Sequence, residues 1–466
     1  MQSETVRQIS QIFNAQSVAL VGASDREGTF GRLFLEGLRD LGCPHIYPVN
    51  PKREEILGFK TYANLTAIPE PVELAILLTP PEAVLGIVKE AVEKKLKGVV
   101  VFAAGFGELS AEGKALEQEI ARVARAGGVR VIGPNCLGFF SPAAGLSTFP
   151  MSLMEKVPNR GGSVGGFAQS GSFTDQVVWF LTKKGAAFST MVSCGNECDL
   201  AAEDYLEYFG EDENTRTILA YMEGVKDGRR FFEVARKVAA KKPVIMWKGG
   251  MSEQGAKAAA SHTGALAGSA TVWNALFQQT GIINVSCMEQ VVDCALGFHF
   301  SPLPRGRGTA VLSAHGGTGV ATADNCLAAG LELPGLADET KARLRQIMPE
   351  VGTSIGNPVD IGVASLLNPG LYGEAIRIIA DDPNIDMILV NTSAIRACEE
   401  GIVEASKTID KPVAVSIFAL PELVPQEYEY LAENGIAAYP DAKRAAYVLS
   451  RLAEYAKFKA EREAEG

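Results

Sequence analysis

The run Ala-Ser-His-Thr-Gly-Ala-Leu-Ala-Gly-Ser, residues 260–269, sets one histidine, His262, among small residues just before an apolar-periodic segment of Thr271, Val272, Trp273, Leu276 and Phe277. Gly264 and Gly268 let the backbone turn tightly and come close to a ligand. The first N–H groups of the helix expected next have no partner within it. That helix end also carries roughly half a positive charge, so it holds an anion readily. With phosphate as the anion, the imidazole can take the phosphoryl group on a ring nitrogen. The same residues also read as a flexible glycine-rich turn with an incidental histidine, and this window alone leaves both open.

Three other stretches bear on that chemistry. Gln-Ser-Gly-Ser at 169–172 is a second small-residue turn opening a helix, with Val177, Val178, Phe180 and Leu181 on its apolar side. Ser170 and Gly171 would then hold a phosphate from the side opposite Gly264 and Gly268, with the hydroxyls of Ser170 and Ser172 adding donors. Glu223 follows the strand expected at 217–222. A carboxylate there can accept a hydrogen bond from one ring nitrogen of His262, leaving the other free as nucleophile; an exposed loop glutamate is the competing reading. His315, in Ser-Ala-His-Gly-Gly-Thr-Gly at 313–319, is the rival phosphate-bearing histidine, because His45 falls in an expected strand and His299 among aromatics.

These positions need strands that end beside one another. Residues 17–133 alternate β-rich runs (18–21, 45–49, 74–78, 99–103, 129–132) with helical periodicity, for example at 82–95 and 113–126. That rhythm predicts a parallel, doubly wound sheet with its ligand beyond the strand carboxyl ends. The first turn, Gly22 to Gly31, resembles a dinucleotide fingerprint with the wrong glycine spacing. The second strand ends in Pro48-Val49-Asn50-Pro51-Lys52, where a nicotinamide site wants an acidic residue. Lys52 suits a phosphorylated ribose, unless it is simply a solvated lysine. Later strand ends (Thr79-Pro80-Pro81, Ala103-Ala104-Gly105-Phe106, Gly133-Pro134-Asn135-Cys136) offer small side chains and open backbone donors. Cys136 reads better as a buried thiol than as a nucleophile. Residues 141–160 read as a linker. A second α/β unit spans about 162–299 (strands 164–168, 188–192, 217–222, 244–247, 282–285), and a third about 309–455 (strands 310–313, 387–390, 413–417, 436–438). Gly356 to Asp360 reads as a rigid turn, and the charged tail 453–466 as a solvated, fraying helix.

At 466 residues the chain has room for about three domains, and 47% apolar with 21% charged residues is ordinary α/β composition. A net charge of −11 without a basic stripe argues against nucleic acid. The eight cysteines make no C-x-x-C pair and no metal-ligand set, so they read as reduced thiols. The N-terminus lacks a signal-peptide core and no apolar run approaches about 18 residues. The expectation is a cytoplasmic protein with no membrane span.

With these pieces assembled, the chain resembles the NDP-forming acyl-CoA synthetases, relatives of succinyl-CoA synthetase. It looks most like the separate α subunit of the ADP-forming acetyl-CoA synthetases. The motifs are Gly22–Gly31, Pro48–Lys52, Ala103–Phe106, G-P-N-C-L-G at 133–138, Q-S-G at 169–171, G-N-E at 195–197, E-G-V-K-D-G at 223–228 and S-H-T-G-A-L-A-G-S at 261–269, the last the most specific. The resemblance implies an N-terminal Rossmann-like CoA-binding domain (1–140), then a flavodoxin-like ligase domain with the phosphohistidine loop (160–300) and a second flavodoxin-like domain (308–460). It implies that Gly22, Ser24, Arg26, Asn50, Pro51, Lys52, Pro80, Ala104, Gly105, Asn135 and Cys136 line a coenzyme A site. His262 falls on the phosphohistidine, Glu223 on its orienting carboxylate, and Ser170 and Gly171 on a phosphate-holding turn.

The implied reaction is acyl-CoA + phosphate + NDP going to carboxylic acid + CoA + NTP. No ATP-grasp domain is legible, so the resemblance calls for a separate ATP-grasp β subunit carrying ADP or GDP with Mg, in an α2β2 assembly or beside an α homodimer. No acetyltransferase domain is legible either. Ala168 stands where the family commonly has serine, and Ser-Ala-His-Gly-Gly-Thr-Gly departs from the usual third-domain turn. The alternatives are a non-catalytic CoA- or acyl-CoA-binding regulatory protein, against which the His262–Glu223 pair speaks, and an NAD-linked oxidoreductase, against which Lys52 speaks. The acyl group stays open.

Overall fold

The computed structural model describes residues 2–149, 161–257 and 269–465. They fall into two compact units, Met1–Thr182 with Ala187–Ser286, and Lys183–Ala186 with Cys287–Gly466.

The first unit holds two sheets. β1 (Ser17–Val21) and β2 (His45–Val49) are followed by a small antiparallel hairpin of β3 (Glu55–Ile56) and β4 (Phe59–Lys60). β5 (Leu74–Leu77), β6 (Gly98–Val101) and β7 (Arg130–Ile132) complete a parallel five-stranded sheet in the order β2-β1-β5-β6-β7. β1, β5 and β6 are buried along their whole length, as continuous apolar runs covered on both faces must be. Helices Pro81–Glu93 and Ala111–Ala126 pack Val84, Val88, Ile120 and Ala124 against Ala75, Leu77, Val99 and Val101. Strand order reverses between β1 and β5, so a crevice opens at the carboxyl edge between them.

The second sheet comprises β8 (Gly138–Ser141), β9 (Leu146–Ser147), β10 (Val164–Ala168), β11 (Phe188–Ser193), β12 (Thr217–Met222), β13 (Val244–Lys248) and β14 (Ile283–Val285), in the order β14-β13-β12-β10-β11-β8-β9. β10 to β14 are parallel; β8 and β9 join antiparallel. The expected linker is therefore corrected over its first part. Residues 141–149 turn back as an edge hairpin because Phe139, Phe140, Leu146 and Phe149 are buried. The Thr148 hydroxyl, accepting from Phe139 N at 2.8 Å, closes the pair.

The second unit carries β15 (Thr309–Ser313), β16 (Val359–Asp360), β17 (Met387–Thr392), β18 (Val413–Ile417) and β19 (Ala437–Tyr439), all parallel, in the order β16-β15-β17-β18-β19. β16 corrects the rigid-turn expectation. Asn357 donates to Thr309 O (2.8 Å) and Pro334 O (3.0 Å) and accepts from Val311 N (3.0 Å), which sews residues 357–360 onto β15. The tail is corrected too: one helix runs Ala442–Glu465, with Ala453 and Tyr455 buried and the Tyr455 ring 5.6 Å edge-on to Phe298. The fold is thus an N-terminal Rossmann-like domain followed by two flavodoxin-like doubly wound domains. Among the described residues no helix is long and apolar enough to cross a membrane.

Candidate functional site

The turns leaving the first sheet carry every residue the sequence assigned to a nucleotide-like ligand. Gly22, Ser24 and Arg26 follow β1; Asn50, Pro51 and Lys52 follow β2; Pro80 caps the helix after β5; Ala104 and Gly105 follow β6; Asn135 and Cys136 follow β7. Gly22 sits at φ +94°, and a Cβ on Gly31 would meet Gly22 O at 2.4 Å, so the helix Phe30–Asp40 lies directly on this turn. Asn50 ties the first two turns together, donating to Ala23 O at 2.9 Å and accepting from Lys52 N at 2.9 Å.

A cavity of about 390 Å³ opens here, bringing Gly22, Asn50, Pro51 and Lys52 together with Thr79, from a strand end the sequence had singled out, and with Asn64 and Glu90, which sequence reasoning missed. The buried Thr79 hydroxyl has no partner among the described residues, and Lys52 is exposed at the rim. An orphaned donor inside and a cation at the mouth fit a polar, anionic ligand. Ser24, Arg26, Pro80, Ala104, Gly105, Asn135 and Cys136 lie along the same edge outside the lining.

Two of those positions are less open than expected. The N–H groups of Gly105 and Phe106 are taken by the Glu108 carboxylate, so they are not free backbone donors. Burial works to raise the Glu108 carboxyl, but hydrogen bonds from Gly105, Asn196 and Phe106 outweigh it and hold it below its ordinary value. The Cys136 thiol points inward at Val101 O, 3.4 Å away, and burial pushes it up to about 12, which fits a structural thiol.

At the carboxyl edge of the second sheet, Glu223 follows β12 and is buried. Its backbone is held on both sides. Gln169, at the end of β10, accepts from Glu223 N (2.6 Å) and Gly224 N (3.1 Å) through Oε1. Its Nε2 donates to Gly224 O (2.9 Å) and Glu197 Oε1 (3.1 Å). On the far side, Lys248 at the end of β13 donates to Glu223 O at 2.9 Å, and its ammonium stands 5.0 Å over the Trp273 ring. Burial lowers the Lys248 amine to about 8, partly offset by Glu223. Tyr221 OH donates to Glu223 Oε1 at 3.3 Å; burial, then the Glu223 charge, push that phenol up to about 12, so it remains a donor.

Ser170 opens the helix Gly171–Lys183, its hydroxyl accepting from Phe173 N at 3.3 Å and lying 3.2 Å from Ser172 Oγ. His262, Gly264 and Gly268 lie outside the described residues. Ser269 caps the helix Ala270–Thr280 by accepting from Val272 N. Trp273 and Phe277 of the anticipated apolar face are buried, whereas Val272 is 65% exposed. His315 stands at the start of the helix Gly316–Ala328 in the second unit.

Sequence reasoning missed Gln169 as a clamp and Lys248, and it quoted Asn196 and Glu197 only within the G-N-E motif, without a role. Lys248 carried the same signal as Glu223, a charged residue closing a buried strand. Asn196 accepts from Asn135 at 3.3 Å and donates to Glu117 Oε1 at 2.7 Å, which joins the second sheet's loops to the first's.

The fold agrees with what known proteins show. Residues 16–142 match the CoA binding domain family, 161–298 the succinyl-CoA ligase like flavodoxin domain and 309–464 the ligase-CoA domain. Together these define a coenzyme A ligase. The α subunit of ADP-forming acetate–CoA ligase II from Pyrococcus furiosus is 36% identical over 96% of this chain and 98% of that one. ADP-forming acetate–CoA ligase I from Archaeoglobus fulgidus is 37% identical over 97% of this chain, which spans only 64% of that longer protein. The structure of a dinucleotide forming acetyl-coenzyme A synthetase 1 from Ca. Korarchaeum cryptofilum, in complex with phosphate and ADP, superposes with a TM-score of 0.88 at 31% identity, covering 97% of this chain and 98% of that one. The chain belongs to the NDP-forming acyl-CoA synthetases.

Proposed function

We propose that this chain is the α subunit of an NDP-forming acyl-CoA synthetase, interconverting acyl-CoA + phosphate + NDP with carboxylic acid + CoA + NTP. Phosphate attacks the thioester carbonyl and expels CoA thiolate, giving an acyl phosphate. A ring nitrogen of His262 then attacks phosphorus, the P–O bond breaks, and the carboxylate leaves. The phosphoryl group passes from nitrogen to the terminal oxygen of ADP or GDP, and the imidazole is regenerated. Positioning and charge neutralisation carry most of the rate in such transfers.

The observation that carries this reading is Glu223: a buried carboxylate at the active edge of a ligase-type sheet, its peptide groups fixed from both sides. An imidazole orienter needs this placement, and a surface glutamate does not have it. Coenzyme A belongs in the Lys52–Thr79 cavity. The nucleotide, with its Mg, is assigned to an ATP-grasp β partner in an α2β2 or α-homodimer-based assembly. That the Pyrococcus furiosus relative is named a subunit alpha supports that division of labour.

The test is to incubate the purified chain with acetyl phosphate and map an acid-labile phosphoryl adduct. The adduct is expected at His262 and absent from His262→Asn; its absence even with an authentic β subunit present overturns the reading and leaves a CoA-binding protein. A second expectation concerns Lys52. Lys52→Glu should raise the Kd for CoA about tenfold by calorimetry at low salt, and less at high salt, because an exposed charge is screened beyond about 8 Å at physiological ionic strength. An unchanged Kd at low salt would remove Lys52 from the site.

A further inference from the structure

The Gln169 side chain has four hydrogen-bonding positions, and all four are filled. Two backbone donors of the Glu223–Gly224 turn meet its oxygen, while Gly224 O and the Glu197 carboxyl meet its nitrogen. An amide saturated in this way cannot rotate without stranding buried polar groups. It joins the ends of three neighbouring strands, β10, β11 and β12, at the point where Glu223 leaves the sheet. Glu197 itself is buried and adopts φ +55°, a left-handed conformation unfavourable for a residue with a side chain.

We propose that Gln169 and Glu197 are positioning residues for the phosphoryl-accepting step: the Gln169 amide fixes the turn that carries Glu223, and the Glu197 carboxyl holds that amide in orientation. This rests on the reading of Glu223 as the orienter of His262. The groups facing Glu197 are Lys226, whose ammonium donates to the carbonyls of Asn196 (2.6 Å) and Glu197, the Ala202 N–H, Glu203, and the neutral side chains of Cys194 and Tyr205. Burial raises the Glu197 carboxyl to about 7, with Lys226 and then Gln169 pulling the other way. Because the value is raised, Glu197 is neutral on the acid side and ionised on the alkaline side. A charge-assisted hydrogen bond to Gln169 therefore strengthens as pH rises through about 7.

The experiment follows the rate of acid-labile labelling by acetyl phosphate in the full chain, from about pH 6 to about pH 8, for wild type, Glu197→Gln and Gln169→Ala. Imidazoles ordinarily titrate in the same window, so the reading is the ratio of wild type to Glu197→Gln, in which any such contribution cancels. The ratio is expected to rise about fivefold across the range. Gln169→Ala, folded by circular dichroism, is expected to label about 10- to 100-fold more slowly. A flat ratio, or a folded Gln169→Ala that labels at the wild-type rate, overturns the proposal. Should Gln169→Ala fail to fold, the Glu197→Gln ratio decides alone. If the wild-type chain takes no label at all, the reading of Glu223 and His262 falls and this inference with it; wild-type labelling with a flat ratio sinks the inference only.

Discussion

Glu223→Gln is expected to slow labelling of His262 by acetyl phosphate about 10²- to 10⁴-fold while leaving the thermal midpoint within a few degrees. The size comes from what the carboxylate supplies to a nucleophilic imidazole: a fixed tautomer and ring orientation, and a negative charge beside the cation that forms as nitrogen takes the phosphoryl group. Glutamine keeps the shape and one acceptor oxygen but loses the charge, and its amide can present the wrong end to the ring. The fold should tolerate the change because, among the described residues, the shortest hydrogen bonds on this residue are backbone ones. Gln169 takes its N–H at 2.6 Å and Lys248 its carbonyl at 2.9 Å, and neither involves the substituted atoms. Tyr221 donates to Oε1 and can do the same to an amide oxygen. Pulse labelling with quench, alongside circular dichroism, separates the two quantities. A wild-type labelling rate would remove Glu223 from the mechanism.

That this position could be picked out from sequence follows from how a doubly wound sheet is built. Strands such as Thr217–Met222 are buried and apolar, so a charged residue directly after one sits at the crevice. The same reasoning places Asn50 and Lys52 after β2, where the cavity is found. Lys248 met the same rule, standing directly after the expected strand 244–247, and went unread; the structure extends that strand to include it. Gln169 was legible only as part of a small-residue turn. Its partners are 28 to 55 positions away, and no local pattern reports which amide end meets which backbone group. Glu108 is the opposite case, a carboxylate three residues beyond Gly105 that closes on its N–H, within reach of local turn reasoning and still missed.

The strands that escaped were those whose partners decide them. Val359–Asp360 is too short to show a period, and the bonds from Asn357 to residues 309, 311 and 334 make it a strand. Residues 141–160 look like linker by composition, yet the buried Phe139 and Phe140 just before them and the pairing of Met191 with Phe140 draw residues 138–147 onto the second sheet's edge. In the C-terminal helix, abundant charge hid the buried side of Leu452, Ala453 and Tyr455.

The largest stability effect is expected at Asp199, a residue that carries no chemistry. Its side chain is fully buried just after the Gly-Asn-Glu-Cys turn and receives donors on both oxygens. Arg130 Nε (2.8 Å) and Val131 N (2.8 Å) reach Oδ2; Arg130 Nη2 (3.1 Å) and Arg125 reach Oδ1. The carboxylate therefore fastens β7, the last strand of the first sheet, to the loop that follows β11 of the second. Asp199→Ala leaves the 12%-exposed Arg130 guanidinium without its charge partner, and breaking a buried pair in this way costs about 3–5 kcal/mol. Arg125, 56% exposed, is screened by water, so Arg125→Ala should cost under about 1 kcal/mol. Asp199→Asn, which keeps one acceptor oxygen, should fall between. Two compact units need not unfold together, but all three tryptophans, Trp179, Trp247 and Trp273, lie in the first. Urea unfolding followed by tryptophan fluorescence therefore reports the affected unit alone. The midpoint should fall clearly for Asp199→Ala and barely for Arg125→Ala. Equal small shifts in both would mean that Arg130 finds water or another acceptor, and that the two sheets are held by apolar packing rather than by this carboxylate.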